Sequence, residues 1–247
     1  MIPIKHTEFS VLRRTLAGLV IAGLLPGLAA AQTSLTPHTA EYKIKISVLG
    51  GELQTRLAAT DNGYVATHEV RPTGMSRMLA RGTISESSAF TTAPDGIRPT
   101  TYRSDDSLSR DKGQTYIEFD WSINEAKGTV NDAAVKSAMQ GLAYDRVSIQ
   151  YELMHDLMNG GPSANYVLFD IDRLKTIHVS NIGSRTVKVP AGRFEAIGIT
   201  HQAEGSKRIT TMWCVPELDF LPVIIEQHRK GKLRVRAVLK NYEPTTT

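Results

Sequence analysis

Strand periodicity is the feature that most limits the folds open to this chain. In the segment EYKIKISV, the side chains of Tyr42, Ile44, Ile46 and Val48 alternate with polar ones. Successive side chains of a β-strand point to opposite faces, so these four would share one face. The same alternation returns in TYIEFDWS, FEAIGITH and LRVRAVLKNYE. The pattern predicts a protein that is built mainly from β-strands.

Short turn motifs separate the strand-like segments. They are Gly50-Gly51, DNG at 61–63, APDG at 93–96, DKG at 111–113 and PAG at 190–192. Asn, Asp and Gly tolerate the positive φ angles that tight hairpin turns require. Closely spaced hairpins of this kind predict a meander, and hence a strongly curved antiparallel sheet that is either half open or closed into a barrel.

One segment, DRVSIQYELMHDLMNGG, has the periodicity of a helix instead. Its apolar residues recur at the spacing of one helical face, and they are Val147, Tyr151, Met154 and Met158. Asp145 is a candidate N-terminal cap, and two glycines and a proline follow the segment. We therefore predict one amphipathic helix at about 145–158, whose apolar stripe covers an open face or end of the sheet.

The first thirty-one residues have the pattern of an export signal. Basic residues precede an apolar run from Leu16 to Leu28, and Ala29-Ala30-Ala31 forms a cleavage motif. The run is too short for a membrane helix, which needs about 20 apolar residues. We predict a cleaved signal peptide at 1–31, a single β-rich domain at 32–247 without a transmembrane span, and a periplasmic location. Paired Arg13 and Arg14 leave the export route open between general secretion and the twin-arginine pathway.

Charge and cysteine content limit the function classes further. The net charge of +4 includes basic residues of the leader, so the mature chain is nearly neutral and no nucleic-acid partner is expected. Cys214 is the only cysteine, so an internal disulfide is excluded. It lies beside Trp213 in a strand-like segment, and we expect a buried, unreactive thiol.

Catalytic signatures are absent from the sequence. It contains no H-E-x-x-H, G-x-S-x-G, P-loop or paired C-x-x-C motif. Glu217 and Asp219 lie close together, but Pro216 and Pro222 flank them, as in a connection between two strands. We predict no catalytic residue, no metal site and no cofactor, and we favour a protein that is not an enzyme.

Two groups of residues are candidates for binding. Flexible apolar side chains in irregular segments suit an adaptable binding mouth, although they also suit a loop that closes the core. Tryptophans are good wall residues for an apolar cavity, although core packing explains them equally. The candidate ligand-binding residues are Met75, Met78, Leu79, Trp121, Met139, Leu142 and Trp213.

The second group is a basic hairpin near the C-terminus. Its candidate anion-binding residues are Arg229, Lys230, Lys232, Arg234 and Arg236. Lipid phosphates and acidic polysaccharides are the anions that such a surface would attract in a bacterial envelope. Basic residues on an exposed strand also serve solubility and edge protection.

The order of several segments resembles a known family. They are GTISESSAF followed by DGIRPTTYR, then IEFDW, the DRVSIQYEL helix, VKVPAGRFEAIGI, TTMWCVPELDFLPVIIEQ and a last strand that ends in YE. In this order, over Glu41 to Glu243, they resemble the DUF3108 family of exported bacterial proteins. The resemblance implies a β-rich envelope protein and supplies no catalytic residues. A curved sheet with a helix beside an apolar hollow is also similar to periplasmic lipoprotein carriers, by analogy of fold.

Three functional hypotheses are open at this point. The first is a non-enzymatic periplasmic protein that binds a lipid, another amphipathic envelope component or a partner in its curved sheet. The second is an enzyme that acts on an envelope polysaccharide or lipid, and the third is a scaffold or assembly protein with a filled core. The expected partners are accordingly a lipid or an anionic envelope polymer, and an envelope protein.

Overall fold

A computed structural model describes residues 34–109, 112–170 and 173–245. The predicted signal peptide at 1–31 lies outside these residues. The described chain is mainly β, as the strand periodicity predicts. None of its helices is long and apolar enough to cross a membrane.

The described residues form fourteen strands and two α-helices. The first eight strands are β1 (His38–Ile46), β2 (Leu49–Thr60), β3 (Gly63–Pro72), β4 (Ile84–Ala93), β5 (Gly96–Asp106), β6 (Gly113–Asp120), β7 (Glu125–Val130) and β8 (Ala133–Ala138). The remaining six are β9 (Asn165–Asp170), β10 (Arg173–Val189), β11 (Gly192–Ala203), β12 (Arg208–Val215), β13 (Leu221–Arg229) and β14 (Lys232–Pro244). The helices are α1 (Ser76–Leu79) and α2 (Ser148–Met158).

All fourteen strands belong to one antiparallel sheet. Its order is β8-β7-β6-β5-β4-β3-β2-β1-β14-β13-β12-β11-β10-β9. Except for β8 and β9, which are the two ends of this order, strands that follow one another in sequence are neighbours in the sheet, as expected of a hairpin meander. The first and last strands also pair, from His38 with Pro244 to Ile46 with Val235. This β1–β14 ladder joins a half-sheet of β1–β8 to a half-sheet of β9–β14.

The sheet curls strongly but does not close, which confirms the prediction of a half-open barrel. β6 is third in the strand order and β9 is fourteenth. Nevertheless, the rings of Phe119 on β6 and Phe169 on β9 meet edge to face, with centroids 6.4 Å apart. Tyr144, in the segment before α2, forms a parallel bridge with Leu168 of β9. The helix and its approach thus occupy the region between the two edges of the curled sheet.

Helix α2 is the predicted amphipathic helix, and it begins three residues after Asp145. The Asp145 carboxylate accepts hydrogen bonds from the amides of Val147 and Ser148, both at 2.8 Å, which confirms its capping role. The Ser148 hydroxyl in turn accepts from the Asp145 amide at 3.0 Å. On the predicted stripe, Tyr151 and Met154 are fully buried. The stripe therefore packs into the core.

Most predicted turns lie where the motifs indicate. Thr60 pairs with Gly63, Ala93 with Gly96 and Val189 with Gly192, so each motif closes a hairpin. The turn that was expected at Gly50-Gly51 is three residues earlier, because Ile46 pairs directly with Leu49.

The chain reverses at Ser47-Val48, and a positive φ of 53° at Ser47 makes that turn. Val48 consequently projects into solvent. The alternation had predicted that it shares the face of Tyr42, and for Val48 this prediction is wrong. Gly51 lies inside β2, where a Cβ would stand 2.7 Å from the carbonyl oxygen of Arg71. This glycine permits the close approach of β3.

Candidate ligand-binding cavity

A cavity of about 830 Å³ lies between α2 and the strands β9 to β13. It exists because α2 is attached to the opposite half of the sheet. The Ser88 hydroxyl on β4 donates to the Asp145 carboxylate at 2.6 Å, and the Ile97 amide on β5 donates to the Glu152 carboxylate at 2.6 Å. The side of α2 that bears Ile149, Gln150 and Leu153 is left facing the cavity.

Alternate residues of the strands supply most of the apolar lining. Each strand contributes residues two positions apart, since only every second side chain faces the concave side. The apolar lining residues of the strands are Tyr166 and Leu168 on β9, Ile177 and Val179 on β10, Ala203 on β11, Met212 on β12 and Ile225 on β13. Together with Ile149 and Leu153 of α2, they form the apolar part of a hollow of the size that small-molecule sites usually have.

A few neutral polar groups interrupt this lining. Burial lowers the pKa of His201 to about 4, so its imidazole is uncharged at neutral pH. The Gln227 side-chain amide donates to the Thr210 hydroxyl at 3.5 Å. The Gln150 amide nitrogen is buried and has no hydrogen-bond partner in the described part of the chain.

Near the N-terminus of α2, the charges of the cavity neutralise one another. Asp170 accepts hydrogen bonds from Arg146 at 2.6 Å and from Lys175 at 2.5 Å. Burial alone would raise the pKa of Asp170, but these two cations hold it below its usual range. The carboxylate is therefore ionised and fully engaged.

Near the turn after β11, the cavity adjoins a second hollow of about 300 Å³. Gly205, Ser206 and Arg208 line both spaces. The smaller hollow, which we call the basic hollow, is further lined by Lys207, Arg229 and Lys230. Cations thus dominate this end of the cavity.

The carboxylates with strongly displaced pKa values lie outside the cavity. Burial raises the pKa of Asp145 to about 6 and that of Glu152 to about 7. Both side chains attach α2 to β4 and β5, and neither lines the cavity. Among the described residues, no cluster of three or more His, Cys, Asp or Glu side chains is arranged to hold a metal ion.

The structure places none of the seven candidate ligand-binding residues along the cavity. Met75, Met78 and Leu79 are 82%, 78% and 78% exposed around helix α1. Met139 is buried, and Leu142 packs partly buried against the core.

The two tryptophans have structural partners. The indole of Trp121 donates to the carbonyl of Pro99 at 2.7 Å. Trp213 is buried, and its neighbour Met212 faces the cavity, so the alternation of β12 directs Trp213 to the other side of the sheet. The Arg185 guanidinium lies 3.8 Å from the centre of its ring.

The five candidate anion-binding residues divide into two groups. Arg229 and Lys230 line the basic hollow, and Lys232 pairs with Arg229 across the β13–β14 hairpin. Arg234 and Arg236 lie further along β14, and Arg236 is 3.4 Å from the Glu226 carboxylate.

The residues that form the cavity were not predicted from the sequence, above all the β9–β13 lining, Gln150 and Arg208. One local signal was available, because Ile149 and Leu153 form a second apolar pair at i, i+4 beside the predicted stripe. A helix that is apolar on two sides faces two different apolar surroundings.

Comparison with solved structures supports the fold. The chain is similar to the β-barrel-like protein of domain of unknown function DUF1849 from Brucella abortus, with 12% identity and a TM-score of 0.58, over 86% of this chain and 99% of that one. A presumed lipoprotein from Parabacteroides distasonis matches with 12% identity and a TM-score of 0.32, over 86% and 96% of the two chains. A presumed exported protein with a YmcC-like fold from Bacteroides fragilis matches with 11% identity and a TM-score of 0.33, over 85% and 97%. The last two scores establish no shared fold.

Comparison with protein families is more direct. No curated protein matches the sequence. The model of the family described as "Protein of unknown function (DUF3108)" matches residues 38–236, which include β1 to β13 and the start of β14. Over this length, the chain belongs to the DUF3108 family.

Proposed function

We propose that this protein is a non-enzymatic binding module of the bacterial envelope that holds a lipid or another amphipathic molecule between α2 and β9–β13. The observation that carries the proposal is the cavity of about 830 Å³, in which alternate strand residues form an apolar lining. A neutral His201 and the hydrogen-bonded pair of Gln227 and Thr210 add a few polar groups, as is usual in small-molecule sites.

The charged groups of the cavity favour binding over catalysis. A catalytic pair needs an acid and a base with displaced pKa values that meet at the substrate. Asp170 is held by two cations, while Asp145 and Glu152, whose pKa values are raised, attach the helix to the far half of the sheet. Apart from these groups, Glu204 and Arg208, the residues that line the cavity are apolar or neutral.

The cellular location is part of the same proposal and depends on the N-terminal sequence. Residues 1–31 form the predicted signal peptide, with cleavage after Ala31. The mature protein would then act in the periplasm as a single β-rich domain, where lipids in transit and anionic polymers are the available amphipathic and charged partners.

The direct test is mass spectrometry of organic extracts from protein purified gently from its native periplasm. We expect an amphipathic molecule in about equimolar amount, and we expect delipidated protein to bind a dansylated fatty acid with a blue-shifted emission. Protein without extractable lipid that also fails to bind the fluorescent probe would contradict the proposal.

A second candidate function is the assembly role that the exposed apolar side chains of Met75, Met78 and Leu79 favour. Neighbouring exposed apolar residues are typical of surfaces that contact a protein partner. The two functions are separable, because substitution of these three residues by serine would abolish partner capture and leave the binding of the dansylated fatty acid unchanged.

A further inference from the structure

The basic hollow brings two turns of the sheet together. Gly205, Ser206 and Lys207 belong to the turn between β11 and β12, and Lys230 belongs to the turn between β13 and β14. The Lys230 amide donates to the Lys207 carbonyl at 3.2 Å, which fixes the turns side by side. The hollow has a defined backbone frame and shares Gly205, Ser206 and Arg208 with the lining of the larger cavity.

Like charges face one another across this hollow. Arg208 on β12 is the direct cross-strand partner of Arg229 on β13, and Arg229 is in turn the partner of Lys232 on β14. Like charges that are directly opposite on adjacent strands destabilise a sheet. Three cations in neighbouring positions therefore destabilise this part of the sheet unless a bound anion neutralises them.

In the part of the chain that the structure describes, no acidic side chain forms an ion pair with the four cations that line the hollow. Within the described residues, Lys207, Arg208, Arg229 and Lys230 have no carboxylate at ion-pair distance. Glu204 and Glu226, each three positions from a cation of the hollow, do not line it; Glu204 borders only the larger cavity, and Glu226 is 3.4 Å from Arg236. The contrast with Arg146 and Lys175 is clear, because Asp170 satisfies both of those cations.

The backbone places a cation where another residue type would be favoured. Lys230 has a φ of 52° and Gly231 has a φ of 72°, which are the two positive angles of a tight hairpin turn. Asn, Asp or Gly adopts this conformation more readily than Lys. Unfavourable backbone angles of this kind are concentrated at functional sites.

A hydroxyl donor completes the hollow. The Ser206 oxygen accepts a hydrogen bond from the Arg208 amide at 3.1 Å, so its own hydrogen remains available to donate. Arginine guanidinium groups bind phosphate oxygens through two parallel hydrogen bonds, which lysine cannot do.

We propose that the basic hollow binds the phosphate group of an anionic amphiphile whose apolar chain lies in the larger cavity. This inference rests on the proposed function, because the larger cavity must accept the chain. Arg208 and Arg229 bind the phosphate oxygens, with Lys207, Lys230 and the Ser206 hydroxyl around them. The apolar chain of the ligand extends past Arg208 into the larger cavity, where it lies against Ile177, Val179 and Leu153.

The test compares two probes with the same acyl chain. Oleoyl lysophosphatidic acid carries a phosphate, whereas oleoylglycerol carries none, and each is titrated below its micelle concentration by displacement of the dansylated fatty acid. We expect the phosphate probe to bind about tenfold tighter or more, and we expect only its affinity to fall as salt is raised. Equal affinity of the two probes would overturn the phosphate site and leave the proposed function intact.

Variants test whether the basic hollow causes the preference for the phosphate probe. The double variant Arg208→Gln, Arg229→Gln should lose the preference for the phosphate probe and keep its affinity for oleoylglycerol. Arg234→Gln removes an exposed arginine of β14 outside the hollow and should change neither affinity. Because the double variant removes a like-charge pair, its stability should be no lower than that of the parent protein, so a loss of binding would not reflect unfolding. A preference that survives the double variant would overturn the assignment.

Inorganic phosphate distinguishes a lipid headgroup from a free anion. Phosphate that weakens the lysophosphatidic acid complex competitively and leaves the oleoylglycerol complex unchanged supports a headgroup site. Phosphate that binds while neither acyl probe does would assign the hollow to a soluble anion and would overturn both the lipid ligand and the proposed function.

Discussion

The amide of Ile97 donates a 2.6 Å hydrogen bond to the carboxylate of Glu152 and so joins the β4–β5 hairpin to the middle of α2. Gly96 makes this contact possible, since a Cβ there would stand 2.6 Å from the other oxygen of Glu152. We expect Glu152→Ala to lower the free energy of unfolding by about 2 kcal/mol, because it leaves a buried amide without an acceptor. Glu152→Gln keeps an acceptor oxygen and should cost much less. Urea denaturation compares the two, and equal losses would show that the hydrogen bond is unimportant.

The pH dependence of stability should reflect two opposing groups of buried residues. Burial raises the pKa values of Asp145 and Glu152 to about 6 and about 7. As the pH falls from 7 to 4, these carboxylates are protonated in the folded state before they are protonated in the unfolded state, so they increase the stability of the fold. Burial lowers the pKa values of His68 and His201 to about 4. Below pH 6.5, these imidazoles are protonated in the unfolded state before they are protonated in the folded state, so they decrease the stability of the fold.

These opposing effects are separable by substitution. The double variant Asp145→Asn, Glu152→Gln should lose stability more steeply than the parent between pH 6.5 and 4.5, the interval set by the shifted pKa values. The double variant His68→Asn, His201→Asn should lose it less steeply over the same interval. Free energies of unfolding from urea titrations at several pH values provide the measurement, and parallel curves for all three proteins would contradict this account.

A bulky side chain in the cavity should exclude an apolar ligand. Ala203 lines the cavity at the end of β11, so Ala203→Phe would fill part of it. We expect the affinity for a dansylated fatty acid to fall about tenfold or more. Ala59→Phe on β2 is the matched control, because Ala59 is exposed and lies outside the cavity. An unchanged affinity in Ala203→Phe would place the probe elsewhere.

Two adjacent glycines should respond differently to the same substitution. A Cβ at Gly51 would lie 2.7 Å from the Arg71 carbonyl oxygen and 3.1 Å from Ile44, whereas a Cβ at Gly50 has nothing closer than the Ser76 hydroxyl at 3.9 Å. Gly51→Ala should therefore cost about 1–3 kcal/mol through overpacking. Gly50→Ala should be neutral or slightly stabilising, by up to about 1 kcal/mol. Thermal and urea unfolding of both variants measure the difference.

The thiol of Cys214 should be unreactive in the folded protein. It is fully buried, and burial raises its pKa to about 12. We expect a negligible reaction with a thiol-specific chromogenic reagent in buffer and a complete reaction in concentrated urea. Rapid modification of the native protein would show that β12 opens locally.

The parts of the fold that sequence analysis anticipates are those with local causes. The hairpin at Asp61–Gly63 follows from residues that tolerate positive φ, and α2 follows from one apolar stripe and its Asp145 cap. Ser47 shows the limit of this approach, because its positive φ moves a turn from Gly50-Gly51 and exposes Val48.

The cavity had no comparable local cause. Its lining combines five strands with one flank of α2, and its volume depends on the distance that the Asp145 and Glu152 attachments set between the helix and β9–β13. Part of the basic hollow could be predicted from the sequence, since Arg229 and Lys230 are adjacent to one another. Arg208 was not, because its partner Arg229 is 21 positions away in the sequence.

The β1–β14 ladder has a consequence for how the molecule assembles. His38 and Pro244 are partners although almost the whole chain separates them, whereas every other ladder of the described sheet joins consecutive strands. Each half-sheet can therefore form from hairpins that are local in sequence. The β1–β14 ladder between the half-sheets is a long-range pairing, and it can form only after β14 is in place. Until then β1 presents an open edge, and a truncation that removes β14 would leave two half-sheets with no ladder of hydrogen bonds between them.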